Sequence, residues 1–324
     1  MKLLTVSPSP HIKGDESVKK IMYGVVLSLI PALIASTFFF GWQALMITAV
    51  SVASCVIFEH LFQRYLLKGE STIQDGSAVI TGLLLAFNVP SSLPIWLVIL
   101  GALIAIGVGK MTFGGLGQNL FNPVLVGRVF LLISFPVQMT SWSANSAVDA
   151  FSGATPLGVL KEGLKSGQSV SQLLPNLPTN FDLFYGSMTG SLGEISAVAL
   201  LIGGLFMLYK KIITWHIPVA VLGSMFILQG ILYLVDPELY INPLFHILSG
   251  GAMLGAIYMA TDMVTSPMSV KGQLIYGAAI GIITICIRNF GAYPEGISFA
   301  ILIMNAVVPL INNYVKPTRF GGQA

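Results

Sequence analysis

SAVITGLLLAFNVPSSLPIW, residues 77–96, is the stretch whose reading decides the fold. It begins as an apolar helix, stops at Asn88 and Pro90, and restarts at Pro94. A helix needs about 20 apolar residues, at 1.5 Å rise each, to cross the hydrocarbon core. Residues 77–90 are too few. A residue before proline is driven out of the helical region, and backbone groups freed inside lipid must be satisfied by surrounding protein. The stretch therefore predicts a half-helix ending within the membrane, or a tight hairpin, enclosed by other spans.

The rest of the chain supplies those spans. Of its 324 residues, 55% are hydrophobic and only 9% charged, against roughly 25% charged in soluble domains. Apolar runs predict spans near 21–40, 42–62, 77–90, 94–109, 117–135, 193–209, 216–235, 244–262, 272–288 and 296–315. The first twenty residues lack a continuous apolar core with a small-residue cleavage site, so they predict a cytosolic tail. Lys and Arg concentrate on the cytoplasmic side of membranes. With the N-terminus inside, twelve of the sixteen basic residues fall in cytoplasmic segments, Lys161, Lys165 and Arg288 fall outside, and Arg128 lies within a span. This divides the chain into a cytoplasmic tail (1–20), a first membrane repeat (21–135), an exported loop (136–192), a second membrane repeat (193–316) and a cytoplasmic C-terminal tail (317–324). Scattered basic residues without interleaved aromatics argue against nucleic acid as a partner.

The two membrane halves align. GLLLAFNVPSSLP (82–94) lies on GAIYMATDMVTSP (255–267) without a gap, and each is followed by an apolar span, a basic residue (Lys110 or Arg288) and a Phe-Gly pair. Five spans separate the copies, and an odd offset inverts the second. The expected fold class is an all-α polytopic membrane protein, with about ten transmembrane helices as two inverted five-helix repeats with interrupted half-helices.

Chemistry must come from few polar groups. Cys55 and Cys286 are the only cysteines, so this chain alone predicts neither a disulfide framework nor a four-thiolate cluster. His60, His216 and His246 lack metal-ligand spacing and are expected at interfaces. Glu59 is expected to pair with His60 or Arg64 at a helix end. Arg128, several residues inside a span, is expected to contact a cofactor or a neighbouring carboxylate, or else to clamp the bundle. Asn119 and Asn122, before Pro123, suit either a cofactor contact or helix capping. Asp262 is a candidate cation site beside a helix break, or a helix-end residue.

The exported loop carries DAFSGATPLG, residues 149–158. Small residues before Thr155 leave its hydroxyl sterically open, while the following proline also suits a turn. The spacing Asp149, Ser152, Gly153, Ala154, Thr155 resembles the acceptor signature of the flavin transferase that moves the FMN portion of FAD onto threonine. Together with residues 77–96 and GKMTFGGLGQNLFNPVLVGRVFL (109–131), it makes the chain similar to the membrane-subunit family of Rnf electron-transport complexes. That family also includes the longer B subunits of sodium-pumping NADH:quinone oxidoreductases. The resemblance covers most of the chain. It implies an inner-membrane subunit of a bacterial ferredoxin:NAD oxidoreductase that moves sodium ions or protons. It further implies FMN in phosphoester linkage to Thr155 and is compatible with a second flavin such as riboflavin; Arg128, Asn119 and Asn122 are the candidate flavin contacts read from the residues themselves. The implied partners are the other complex subunits, the flavin transferase and membrane lipid. From the residues alone, a solute channel or transporter without redox cofactor and a purely structural anchor stay open.

Overall fold

The computed structural model describes residues 17–68, 72–142, 154–186 and 189–316, and among them every regular element is helical. Among the described residues, six helices are long and apolar enough to cross a membrane. They include α1 (Val18–Phe40), α2 (Trp42–Leu61, extended to Leu66 by a π turn) and α4 (Ile95–Gly107, extended by turns to Phe113). Three shorter apolar helices accompany them: α3 (Ser77–Phe87), α5 (Pro123–Ser134) and, after the loop, α10 (Ala197–Tyr209). Such composition and length make the chain a multi-pass membrane protein.

The interruption expected after residue 87 is present. α3 ends at Asn88, and the chain turns through Pro90 before Pro94 opens α4. Two span boundaries move inward. The segment expected from 117 becomes helical only at Pro123, because Asn122 turns its side chain onto Val124 N at 3.0 Å and proline fits the first helical position. The span expected from 193 starts at Ala197, where Ser196 caps the helix.

After α5, a short helix α6 (Pro136–Thr140) leads to the loop, which folds into α7 (Pro156–Lys165), α8 (Val170–Leu173) and α9 (Asn180–Tyr185). These pack Leu157, Leu160, Leu173 and Leu183 into a small core of their own, closed by Ile241 and Phe245. α11 (His216–Val235) follows α10.

The span expected over 244–262 is not continuous. It divides into α12 (Pro243–Leu248) and α13 (Ala252–Leu254), which runs into a π turn at Gly255–Met259. The reason is local: Gly251, φ +66°, caps α13 in a left-handed conformation that L side chains rarely adopt. Gly76, φ +83°, does the same for α3. α14 (Val270–Phe290) and α15 (Ile297–Tyr314) complete the chain.

Small residues let these helices approach. A Cβ on Gly82 would lie 2.5 Å from Val52 Cα, so α3 rests on the α2 backbone itself, and Ser51 Oγ donates to Gly82 O at 2.8 Å. Close backbone contact of this kind replaces the hydrophobic drive that lipid removes.

Candidate functional site

The polar residues singled out from the sequence sort into two separate cavities. One, of about 110 Å³, is lined by Asn119, Asn122, Lys110, Ser77, Thr261 and Asp262, with Tyr258 and the start of α1. The other, of about 250 Å³, is lined by Arg128, Ala154, Thr155, Gly158, Trp142, Glu162, Tyr293 and Glu295. Thus Arg128 shares a cavity with Thr155, while Asn119, Asn122 and Asp262 lie in the other. Asp149, Ser152 and Gly153 lie outside the described residues.

Thr155 is buried, not open to solvent as its small neighbours suggested. It is the N-cap of α7, and its Oγ1 accepts from Gly158 N at 3.2 Å. Pro156 at the first helical position needs no partner for a missing N–H, so the Thr-Pro pair starts a helix where a turn was the plain reading. Thr189 Oγ1 clasps the same strand of loop by donating to Ala154 O at 2.9 Å. From α7, Lys161 Nζ donates to three carbonyls, those of Ile287, Arg288 and Tyr293, at 3.3, 3.0 and 2.7 Å. Burial, and after it the like charge of Lys165, pulls its pKa down to about 8.

Arg128 meets the carboxylates that its membrane depth called for. Its Nη2 donates to Glu295, and Glu194 Oε1 lies 3.5 Å from the same nitrogen. Its Nη1 donates to Asn88 Oδ1 at 2.6 Å. Asn88 closes α3, so the guanidinium sits near the negative end of that helix.

A line of polar contacts joins the two cavities. Asn88 Nδ2 donates to Leu84 O at 2.6 Å and reaches Met259 Sδ at 3.9 Å. Asn122 Nδ2 donates to Met259 O at 3.2 Å while its Oδ1 caps α5. Of the two expected uses of Asn122, capping is the one seen, and the residue also lines the smaller cavity. Asn119 Nδ2 donates to Phe121 O at 3.1 Å. Asp262 accepts from Val264 N at 3.3 Å and Thr265 Oγ1 at 3.1 Å, which makes it a turn-forming residue at the cavity edge. Among the described residues no three His, Cys, Asp or Glu side chains gather as metal ligands.

Two further expectations change. Glu59 pairs with Lys110 Nζ at 2.6 Å, both groups fully enclosed, and not with His60 or Arg64. Lys110 also donates to Ser77 Oγ at 2.6 Å, at the start of α3. His246 is buried instead of interfacial, because Arg288 turns inward and donates to the carbonyls of His246, Ser249 and Gly250 just before α13. The sequence reading missed Glu194 and Glu295 altogether. Their signal was available: each is an acidic residue at the margin of an apolar span, and a buried arginine requires a counter-charge.

Residues 5–321 match the model of a family described as NQR2, RnfD, RnfE. The chain is 44% identical over 325 residues to the D subunit of the proton-translocating ferredoxin:NAD(+) oxidoreductase complex of Clostridium ljungdahlii, covering 98% of this chain and 96% of the relative. It is 45% identical over 320 residues to the D subunit of the Na(+)-translocating ferredoxin:NAD(+) oxidoreductase complex of Acetobacterium woodii, covering 98% and 95%. Its identity to the D subunit of the ion-translocating oxidoreductase complex of Stutzerimonas stutzeri is 38% over 330 residues, covering 95% and 93%.

Proposed function

The chain belongs to the NQR2, RnfD, RnfE family, and from that premise we propose that it is the D-type membrane subunit of an ion-translocating ferredoxin:NAD oxidoreductase complex, carrying electrons through FMN bonded to Thr155. The observation that carries the flavin assignment is the surroundings of Thr155: an acceptor hydroxyl at a helix N-terminus, facing a cavity that also holds a buried arginine. The residues present fit an anionic phosphoester. The N-terminus of α7 favours negative charge, and Arg128 can pair with it. Trp142 and Tyr293 offer aromatic walls for a flat ring system. Bound flavin supplies one- and two-electron chemistry that the two cysteines cannot. The protein's part would be to hold the phosphate end at α7, to shield it with the Thr189 clasp, and to set the Arg128 guanidinium beside it.

Because Thr155 is enclosed, its modification requires the transferase to act before α7 docks, or on a loop that opens. The relatives' names imply partner subunits for this chain. The basic-residue distribution supports cytoplasmic termini and an exported 136–192 segment, and the relatives' names, which are those of subunits of bacterial ion-translocating complexes, favour an inner-membrane setting. The inverted-repeat architecture draws support from equivalent contacts. Lys110 reaches the start of α3 and Arg288 reaches the residues before α13, both half-helices start after a left-handed glycine, and their ends meet at Asn88 and Met259. Relatives of nearly equal identity carry different ions in their names, so the translocated ion has to come from transport measured with each cation.

The test is to express the chain with and without the flavin transferase, denature it on a gel, and read flavin fluorescence and peptide masses. A transferase-dependent band that maps to Thr155, persists in Thr155→Ser and vanishes in Thr155→Val supports the reading. Absence of any flavin after denaturation, despite an active transferase, overturns it in favour of a transporter without redox cofactor.

A further inference from the structure

Glu194 and Glu295 come from loops preceding α10 and α15, over a hundred residues apart in sequence, yet they converge on one nitrogen, Arg128 Nη2. Glu194 is the deeper, with its side chain 2% exposed, while Glu295 is 11% exposed and lines the Thr155 cavity. Glu295 Oε1 is buried and accepts no hydrogen bond, and Glu194 Oε1 faces the guanidinium at 3.5 Å without a hydrogen bond of its own. Among the described residues Arg128 is the only cation in contact with either carboxylate. Arg288 acts from further away, because its guanidinium is spent on three backbone carbonyls. In direct contact there are thus two anions for one cation.

Two carboxylates that share a site cannot both ionise at ordinary cost, and a proton on one lowers the charge and turns an unpaired acceptor into a donor. We infer that Glu194 and Glu295 form a shared proton-binding site at the floor of the Thr155 cavity, with Glu295 on the side that opens into the cavity. The proton's route is the cavity itself, whose rim residues Thr140, Ala154 and Glu162 are exposed while Arg128 at its floor is buried. The step moves one proton from water onto a carboxylate oxygen, changing the pair from two negative charges to one. No electron moves and no covalent bond other than O–H forms. Charged and titratable groups around the pair are Arg128 on α5, Arg288 on α14, His246 on α12, Lys161 and Glu162 on α7, and Tyr293 beside Glu295. Added negative charge in the cavity would draw the proton in, and its loss would release it. The site does not depend on which group Thr155 carries.

Infrared difference spectroscopy of the purified complex, recorded across a pH series in H₂O and D₂O, tests this directly. A protonated-carboxyl C=O band should be present near neutral pH, shift in D₂O and titrate away at alkaline pH. It should disappear in both Glu194→Gln and Glu295→Gln but persist in Glu162→Gln. Uniform ¹³C-glutamate labelling of the unmutated protein should move the same band, which keeps the test decisive where a variant fails to fold. Absence of any titrating glutamic-acid band in the unmutated complex would overturn the inference, as would its survival in both variants. A band that ignores pH but is displaced by sodium at fixed pH would overturn it in favour of a cation site.

Discussion

Arg128 Nη1 donates to Asn88 Oδ1 at 2.6 Å, tying the middle of α5 to the residue that ends the half-helix α3. The same guanidinium reaches Glu295 and Glu194 with its other nitrogen. One side chain therefore joins the helix break to the wall of the Thr155 cavity.

Removing that side chain leaves two carboxylates and an amide facing each other in a buried space. Arg128→Gln is expected to cost about 3–5 kcal/mol, the usual penalty for orphaning a buried charge. The thermal midpoint in detergent should fall clearly, and Arg128→Gln combined with Glu295→Gln should recover part of the loss. A single variant as stable as the parent would contradict the clamp.

The Glu59–Lys110 pair is enclosed on both sides. Lys110→Met should cost several kcal/mol, because it leaves the buried Glu59 charge with only the Gln63 amide and the Thr72 hydroxyl, both 3.4 Å from its Oε1, whereas Glu59→Leu combined with Lys110→Met should lie closer to the parent than either single change. A double-mutant cycle on unfolding midpoints measures this coupling. Strict additivity would mean that the pair is energetically irrelevant.

Two glycine-to-alanine changes should have opposite signs. Gly82→Ala drives a Cβ to within 2.5 Å of the Val52 backbone, which has no rotamer by which to yield, so roughly 1–3 kcal/mol or more should be lost. Gly223, within α11, has nothing within 4 Å of an added Cβ. Gly223→Ala should be neutral or stabilising by up to about 1 kcal/mol. Heat-induced aggregation curves of both variants beside the parent are sufficient to decide.

Lys161 fastens α7 to the end of α14 through three carbonyls. Its pKa is depressed on folding to about 8, so the unfolded segment binds more protons than the docked one between about pH 8 and the ordinary lysine value. Docking should therefore tighten as pH rises from 7 through 9. Protection of residues 154–166 from proteolysis should increase over that range and should be pH-flat in Lys161→Met. Protection that falls with pH would reverse the sign and refute the assignment.

How much of this was legible beforehand depends on the range of the interaction. The break after Phe87 was readable because Asn88, Pro90 and Pro94 act on their own backbone. The later break was not, since residues 244–262 carry no proline and the left-handed glycines Gly250 and Gly251 divide them. That Arg128 would meet a cofactor or a carboxylate, or clamp the bundle, followed from its depth, but the carboxylates it meets lie 66 and 167 residues away. Glu59 was paired with its sequence neighbours because helix spacing favours them; Lys110, 51 residues on, won by lying in the same enclosed space.

By itself, the sequence determined that this chain lives in a membrane, that its helices are interrupted, and that its acceptor-like threonine lies outside the apolar runs. Hydropathy, proline and glycine act within a few residues, so no fold is needed to read them. Only the tertiary structure decided that Thr155 caps a helix in a buried position and that Arg128 stands in its cavity while Asn122 and Asp262 stand in another. It alone brought Glu194 and Glu295 onto one guanidinium. Charges in a low-dielectric interior must find partners wherever the chain passes, and that choice is made by packing across the whole molecule.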